Sequence, residues 1–119
     1  MKATARRVLW SVAAQRDLDD IVDYIAGDSV INAEGVLDRL QTSAERLTLH
    51  AERGRRIPEL GRHRRRAPFD WRELIVRPWR VIYSIDGDTV LVLAVVDARR
   101  DFRAWLSRRS IRDLARIDE

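Results

Sequence analysis

The chain has 119 residues, 45% of them hydrophobic and 35% charged, with a formal net charge of +4 and a pI near 10.5. That balance excludes a disordered chain and predicts a single domain, residues 1–119, with one core and a heavily charged exterior. The absence of cysteine excludes disulfides and thiol chemistry and favours a cytosolic home. No apolar run nears the roughly 20 residues of a membrane span, and the N-terminus lacks a signal-peptide pattern.

In chain order, Val8-Leu9-Trp10 has strand preference and Ser11 offers an N-cap. Ala14, Leu18, Ile21, Val22 and Ile25 then recur at helical spacing, with Gln15, Arg16, Asp19, Asp20 and Asp23 on the other side. Gly27 is a stop, Asp28 or Ser29 a second cap, and Ala33, Val36, Leu37, Leu40, Ala44 and Leu47 mark a second amphipathic helix. The link is short enough to demand an antiparallel helical hairpin, and neither helix is long enough to fold alone, so both must rest on a sheet.

Between His50 and Trp71 the periodicity disappears. Gly54, Pro58, Gly61 and Pro68 break the backbone, seven arginines between Arg53 and Arg66 load it with charge, and Ile57 and Leu60 read as core anchors. From Arg72 to Arg100 the pattern is a β-meander. Trp79, Val81 and Tyr83 point one way, and Arg80, Ile82 and Ser84 the other. Asp86-Gly87 predicts a two-residue type I′ turn between Ile85 and Asp88, and Val90–Val96, apolar on both faces, predicts a central strand covered on both sides. Phe102, Trp105 and Leu106 open a C-terminal helix, with a break expected near Ser110.

Lys2 is the sole lysine, so the positive charge is almost all guanidinium, the group suited to bidentate binding of phosphate or carboxylate. Anion-binding candidates are Arg62, Arg64, Arg65, Arg66, Arg77, Arg99 and Arg100. The cluster from Arg62 to Arg66 has a plainer reading as a solvated stripe, and Arg99 and Arg100 as a lock on Asp97 or Asp101. His50 and His63 have no partner at metal-ligand spacing, so neither a metal nor a cofactor is expected. Glycine-rich phosphate loops and Gly-x-Ser-x-Gly are absent.

The order β-α-α-β-β-β resembles the RelE/ParE superfamily of type II toxin–antitoxin toxins. The resemblance is carried by Trp10-Ser11 with Asp17-Leu18, Ile21 and Tyr24-Ile25; by Gly54-Arg55-Arg56-Ile57-Pro58-Glu59-Leu60, similar to a G-R-x-V-P-E-L loop; by Arg72-Glu73-Leu74; by Arg80-Val81-Ile82-Tyr83; and by Val95 to Asp101. It covers about residues 8–107. It implies an α+β fold, a small twisted antiparallel meander with a helical hairpin on one face and a C-terminal helix. It also implies an acidic, partly disordered antitoxin in a hetero-oligomer, meeting Leu18, Val22, Leu37, Leu40 and Arg80.

Two targets divide the superfamily: DNA gyrase for ParE-like members, the ribosome and its mRNA for RelE-like ones. RNA cleavage without a metal needs a base for the 2′-OH, an acid for the leaving oxygen and cations for the phosphorane. Arg72, Arg80, Tyr83 and Arg99 are the residues a ribonuclease would use here. Arginine is a poor base, and the tail after Arg100 has neither tyrosine nor histidine, so the ParE-like reading leads. The alternatives are a RelE-like mRNA endonuclease and a non-toxic nucleic-acid-binding module. Tyr83 also reads as a packed core aromatic, and Glu59 as an arginine partner that fixes its loop.

Overall fold

The computed structural model describes residues 5–60 and 70–118. Strand β1 (Arg7–Trp10) leads into the hairpin of α1 (Val12–Ala26) and α2 (Val30–Glu45). Two 3-10 turns follow, then a two-residue strand β2 (Arg55–Arg56). The meander is β3 (Asp70–Val76), β4 (Trp79–Asp86) and β5 (Thr89–Asp97), and the chain closes with α3 (Phe102–Ser107) and α4 (Ile111–Ala115).

The described strands form one five-stranded sheet in the order β1-β5-β4-β3-β2. The meander is antiparallel as the sequence predicts, but the sheet is mixed, because β1 lies parallel to β5 with Val8 beside Val90 and Trp10 beside Val92. β2, which has no apolar alternation to announce it, pairs antiparallel with β3 inside the segment expected to be loop. β5 is therefore central, between β1 and β4.

Local chemistry sets the element boundaries. Ser11, wholly buried, does three things at the junction of β1 and α1. Its amide donates to the Val92 carbonyl at 2.9 Å, its hydroxyl donates to the Leu93 carbonyl at 3.2 Å, and the same Oγ accepts the Ala14 amide at 3.0 Å as the α1 N-cap. Ser29, Asp101 and Ser110 cap α2, α3 and α4 in the same way, so the helix break expected near Ser110 is a cap. The β4–β5 turn differs by one residue from the expected register. Asp86 pairs with Thr89, and Gly87 alone has positive φ, at 58°. Type I′ needs positive φ at both central residues, so Gly87-Asp88 forms a turn of the II′ kind, with glycine first.

Both faces of the sheet are covered. Ala14, Leu18, Leu40 and Leu47 from the hairpin side pack on Val81, Tyr83, Val90, Val92 and Val95. On the opposite face Phe102, Trp105, Leu114 and Ile57 pack on Trp71, Ile82, Leu93, Ala94 and Val96. The register shifts at Ile82/Tyr83, where an extra β5 residue puts Leu93 and Ala94 consecutively on one face. This second core is why the C-terminal tail folds back instead of trailing. The Arg116 carbonyl accepts the Val12 amide at 2.7 Å, closing the tail onto the start of α1.

Candidate functional site

The sequence-predicted residues fall into three separate places. The first is the face under α3. Glu73 and Arg80 are diagonal neighbours across β3 and β4, where Glu73 pairs with Ile82 and Ile75 with Arg80. Arg80 is 5% exposed. Its Nε donates to Glu73 Oε1 at 2.6 Å, and its Nη1 and Nη2 donate to the two oxygens of Glu59 at 2.7 and 2.8 Å. The guanidinium also lies 4.5 Å over the Phe102 ring. Glu73, wholly desolvated, uses its second oxygen to accept Arg55 Nε at 2.6 Å. The hydrogen bonds from Arg80 hold the Glu59 carboxyl below its usual range, and Glu59 in turn raises the Arg80 guanidinium. Arg80 is therefore enclosed by two carboxylates and a ring, and is presented neither to a phosphate nor to an antitoxin.

The second place is the hairpin face. Tyr83 is wholly buried; its hydroxyl donates to the Ala51 carbonyl at 2.5 Å and accepts the Gly54 amide at 3.0 Å. Arg72 sits opposite Tyr83 in the ladder and donates through Nη1 to the carbonyls of Glu52 and Gly54. Gly54 has no room for a side chain, since a Cβ there would stand 2.7 Å from the Glu73 carbonyl. The Gly-Arg-x-x-Pro-Glu-Leu segment is thus stitched to the sheet by Tyr83, Arg72, Arg55 and Glu59.

The third place is the open side of β5. Beyond Val92, β1 no longer covers that edge, and α1 takes over. Asp17 Oδ2 accepts the Val95 amide at 3.0 Å. Asp17 is the floor of a cleft with two ends that share Asp17, Asp20, Arg100 and Trp105. The end towards α3 and α4, about 860 Å³, holds Arg16, Arg108, Arg109 and Arg116. The end towards Pro78, about 660 Å³, is lined by Ile21, Tyr24, Ile25, Trp79 and Val95. Burial pushes the Asp17 carboxyl up to about 6, with Asp20 adding to the rise; the Val95 amide, Arg109 and Arg100 oppose it.

Arg99 is exposed and clamps Asp97 through Nε and Nη2 at 3.0 and 2.8 Å, which holds the Asp97 carboxyl down at about 2. Arg100 lines both ends of the cleft, and Arg77 is exposed at the β3–β4 turn. Arg62, Arg64, Arg65, Arg66 and His63 lie outside the described residues. Of the expected antitoxin contacts, Leu18 and Leu40 are wholly buried in the hairpin core, so they offer a partner no surface; Val22 and Leu37 are half-buried. The four ribonuclease candidates are not gathered: Tyr83 and Arg72 face the hairpin, Arg80 faces α3, and Arg99 stands beyond the end of β5. Sequence reasoning passed over Asp17 as a site residue and Arg16, Arg108, Arg109 and Arg116 as a group. Nothing in the helical spacing of α1 shows that Asp17 reaches Val95, 78 positions away.

Residues 8–102 match the family described as "ParE toxin of type II toxin-antitoxin system, parDE". Toxin ParE3 of Caulobacter vibrioides is 29% identical over 105 residues, covering 87% of this chain and 98% of that protein. The solved structure titled "Chromosomal ParDE TA system from P. aeruginosa" aligns with a TM-score of 0.61 at 21% identity, over 78% of this chain and 96% of that one, a likeness of fold. With the family match running from β1 into the start of α3 and the fold in agreement, the chain belongs to the ParE toxin family of type II toxin–antitoxin systems.

Proposed function

We propose that this ParE-family chain arrests bacterial growth by a ParE-like action on DNA gyrase, and that a cognate, acidic and partly disordered antitoxin neutralises it in the cytoplasm. The observation that carries the choice of target is the commitment of the candidate RNA-cleaving groups to the fold. Tyr83 and Arg80 are enclosed, Arg72 holds two backbone carbonyls, and Arg99 holds Asp97. A protein-binding inhibitor needs no proton shuttle, only a presented surface. The apolar end of the cleft supplies one for the antitoxin: Tyr24 is 84% exposed beside Ile21, Ile25 and Trp79, with Arg99 and Arg100 at its rim for carboxylates. Induction of the chain alone in a bacterium without the partner gene is expected to halt growth, raise the DNA-damage response and leave mRNA intact. Unimpaired growth contradicts the toxin reading.

One observation supports a second reading, a RelE-like ribosome-dependent endonuclease. A carboxyl at about 6 is suited to take and return protons near neutrality, and Asp17 shares the cleft with Arg99 and Arg100. That reading requires mRNA fragments on induction, and their loss in Asp17→Asn.

A further inference from the structure

The end of the cleft between α1, α3 and α4 shares Asp17, Asp20, Arg100 and Trp105 with the apolar end assigned to the antitoxin, but the rest of its lining is its own. Arg16 comes from α1, Arg100 from the segment after β5, Arg108 and Arg109 from the end of α3, and Arg116 from the end of α4. All five are exposed, and none makes an ion pair with any described residue, although four carboxylates stand in the same walls. The described arginines that do form ion pairs lie elsewhere: Arg6 with Glu52, Arg55 with Glu73, Arg80 with Glu59 and Glu73, Arg99 with Asp97. Two of the four groove carboxylates are already engaged, Asp17 on the Val95 amide and Asp101 as the α3 cap. An amide hydrogen bond leaves a carboxylate its charge, so five guanidinium groups stand against four carboxylates, and the surplus is cationic.

We infer that this groove holds the phosphate backbone of double-stranded DNA, without reading its sequence. Three features select that occupant. An acidic peptide needs large apolar anchors to hold it, and this end of the cleft exposes only the methyl of Ala104: Val12 and Ala13 are half-covered, and Trp105 is buried. Phosphates need only the guanidinium groups, through charge-assisted hydrogen bonds and counterion release. A single strand is held by bases stacked on aromatic faces, but Trp105, the aromatic in this lining, already has the Arg109 guanidinium over its ring at 5.2 Å. The choice of DNA over an RNA duplex rests on the gyrase reading, since gyrase acts on a duplex that a docked inhibitor would touch.

The test is fluorescence anisotropy of the purified full chain with a labelled DNA duplex, the matching single strand, an RNA duplex and polyglutamate, across a range of salt. The variant is Arg16→Ala/Arg108→Ala/Arg116→Ala, which leaves Arg100 and Arg109 in place beside Asp17 and Trp105; its thermal midpoint shows that it folds. The duplex should bind more tightly than the single strand. The variant should lose at least about 10-fold in affinity, and its slope of log K against log salt should fall by roughly 2 to 3. No duplex binding at low salt, a variant with unchanged affinity and slope, or tighter binding of polyglutamate or RNA each overturns the inference. Gyrase is absent from the assay, so the two readings fail separately. A chain that arrests growth through gyrase without holding DNA contradicts only this one, and a chain that holds DNA without touching gyrase contradicts only the other.

Discussion

Glu73 meets two guanidinium groups of very different exposure, and the contrast predicts two very different substitutions. Arg55 is 62% exposed at its side chain and Arg80 is 7% exposed. Losing the exposed partner should cost less than about 1 kcal/mol of stability. Arg80→Met should cost about 3 kcal/mol or more, because Glu73 loses its buried donor in a dry site and Glu59 loses both donors. Urea titrations of Arg55→Ala and Arg80→Met side by side measure the difference; equal costs would contradict the geometry. Loss of toxicity in an Arg80 variant is accordingly a folding effect before it is evidence for catalysis. Asp17 works in the opposite sense. Its folded-state value of about 6 lies above the ordinary 3.8, so its contribution to stability is fully present below pH 3.8 and is lost as the pH rises through 6. Glu59, held low, contributes above its ordinary 4.5 and loses that contribution on acidification. Asp17→Asn keeps an acceptor for the Val95 amide and removes the desolvated charge. It should raise stability at pH 7.5 by about 1 to 2 kcal/mol, with the gain shrinking towards pH 4. Denaturation midpoints of the two proteins that run parallel across this range would refute the assignment.

At the scale of elements, the tail shows how a short segment becomes structural. α4 is five residues long and would not persist alone. It holds because Leu114 is buried under Trp105 and Phe102's core, and because Arg116 supplies the acceptor that α1 lacks at Val12. Removing residues 110–119 should lower the unfolding free energy by about 3 kcal/mol, from one buried leucine and one buried hydrogen bond. A thermal midpoint unchanged by the truncation would show that the tail does not dock. What the sequence made legible follows the same logic. The hairpin and the meander are written in periodicities of 3.6 and 2, and Ser11, Ser29 and Ser110 are caps that a local rule can find. β2 escapes, because two arginines carry no alternation, and their pairing with Glu73 and Arg72 depends on partners 18 and 16 residues away. The β4–β5 turn escapes by one residue, since Asp-Gly and Gly-Asp are both good turn pairs and the register is decided by which valines must face the hairpin. The site is the least legible part. Arg80 reads as a cation for a ligand until Glu59 and Glu73 are seen around it, and Asp17 is invisible until α1 is laid along β5.

For the whole molecule, the sheet separates three tasks. Its α3 face encloses an arginine between carboxylates, its hairpin face stitches the Gly54–Leu60 segment through Tyr83 and Arg72, and its open β5 edge is left to α1 and the cleft. The cleft on that last side joins an apolar end at Tyr24 to a basic end at Arg16 and Arg116. A family member with Tyr83 and Arg80 enclosed and Arg72 and Arg99 engaged by the fold is suited to act by contact on a target, here proposed to be gyrase, and to be silenced when that contact side is covered. The most direct measurement is a supercoiling and cleavage assay with purified chain, purified gyrase and relaxed plasmid, run beside a translating extract carrying a reporter mRNA. The account predicts lost supercoiling, trapped cleavage complexes and intact mRNA. Normal gyrase activity together with a fragmented message would contradict it.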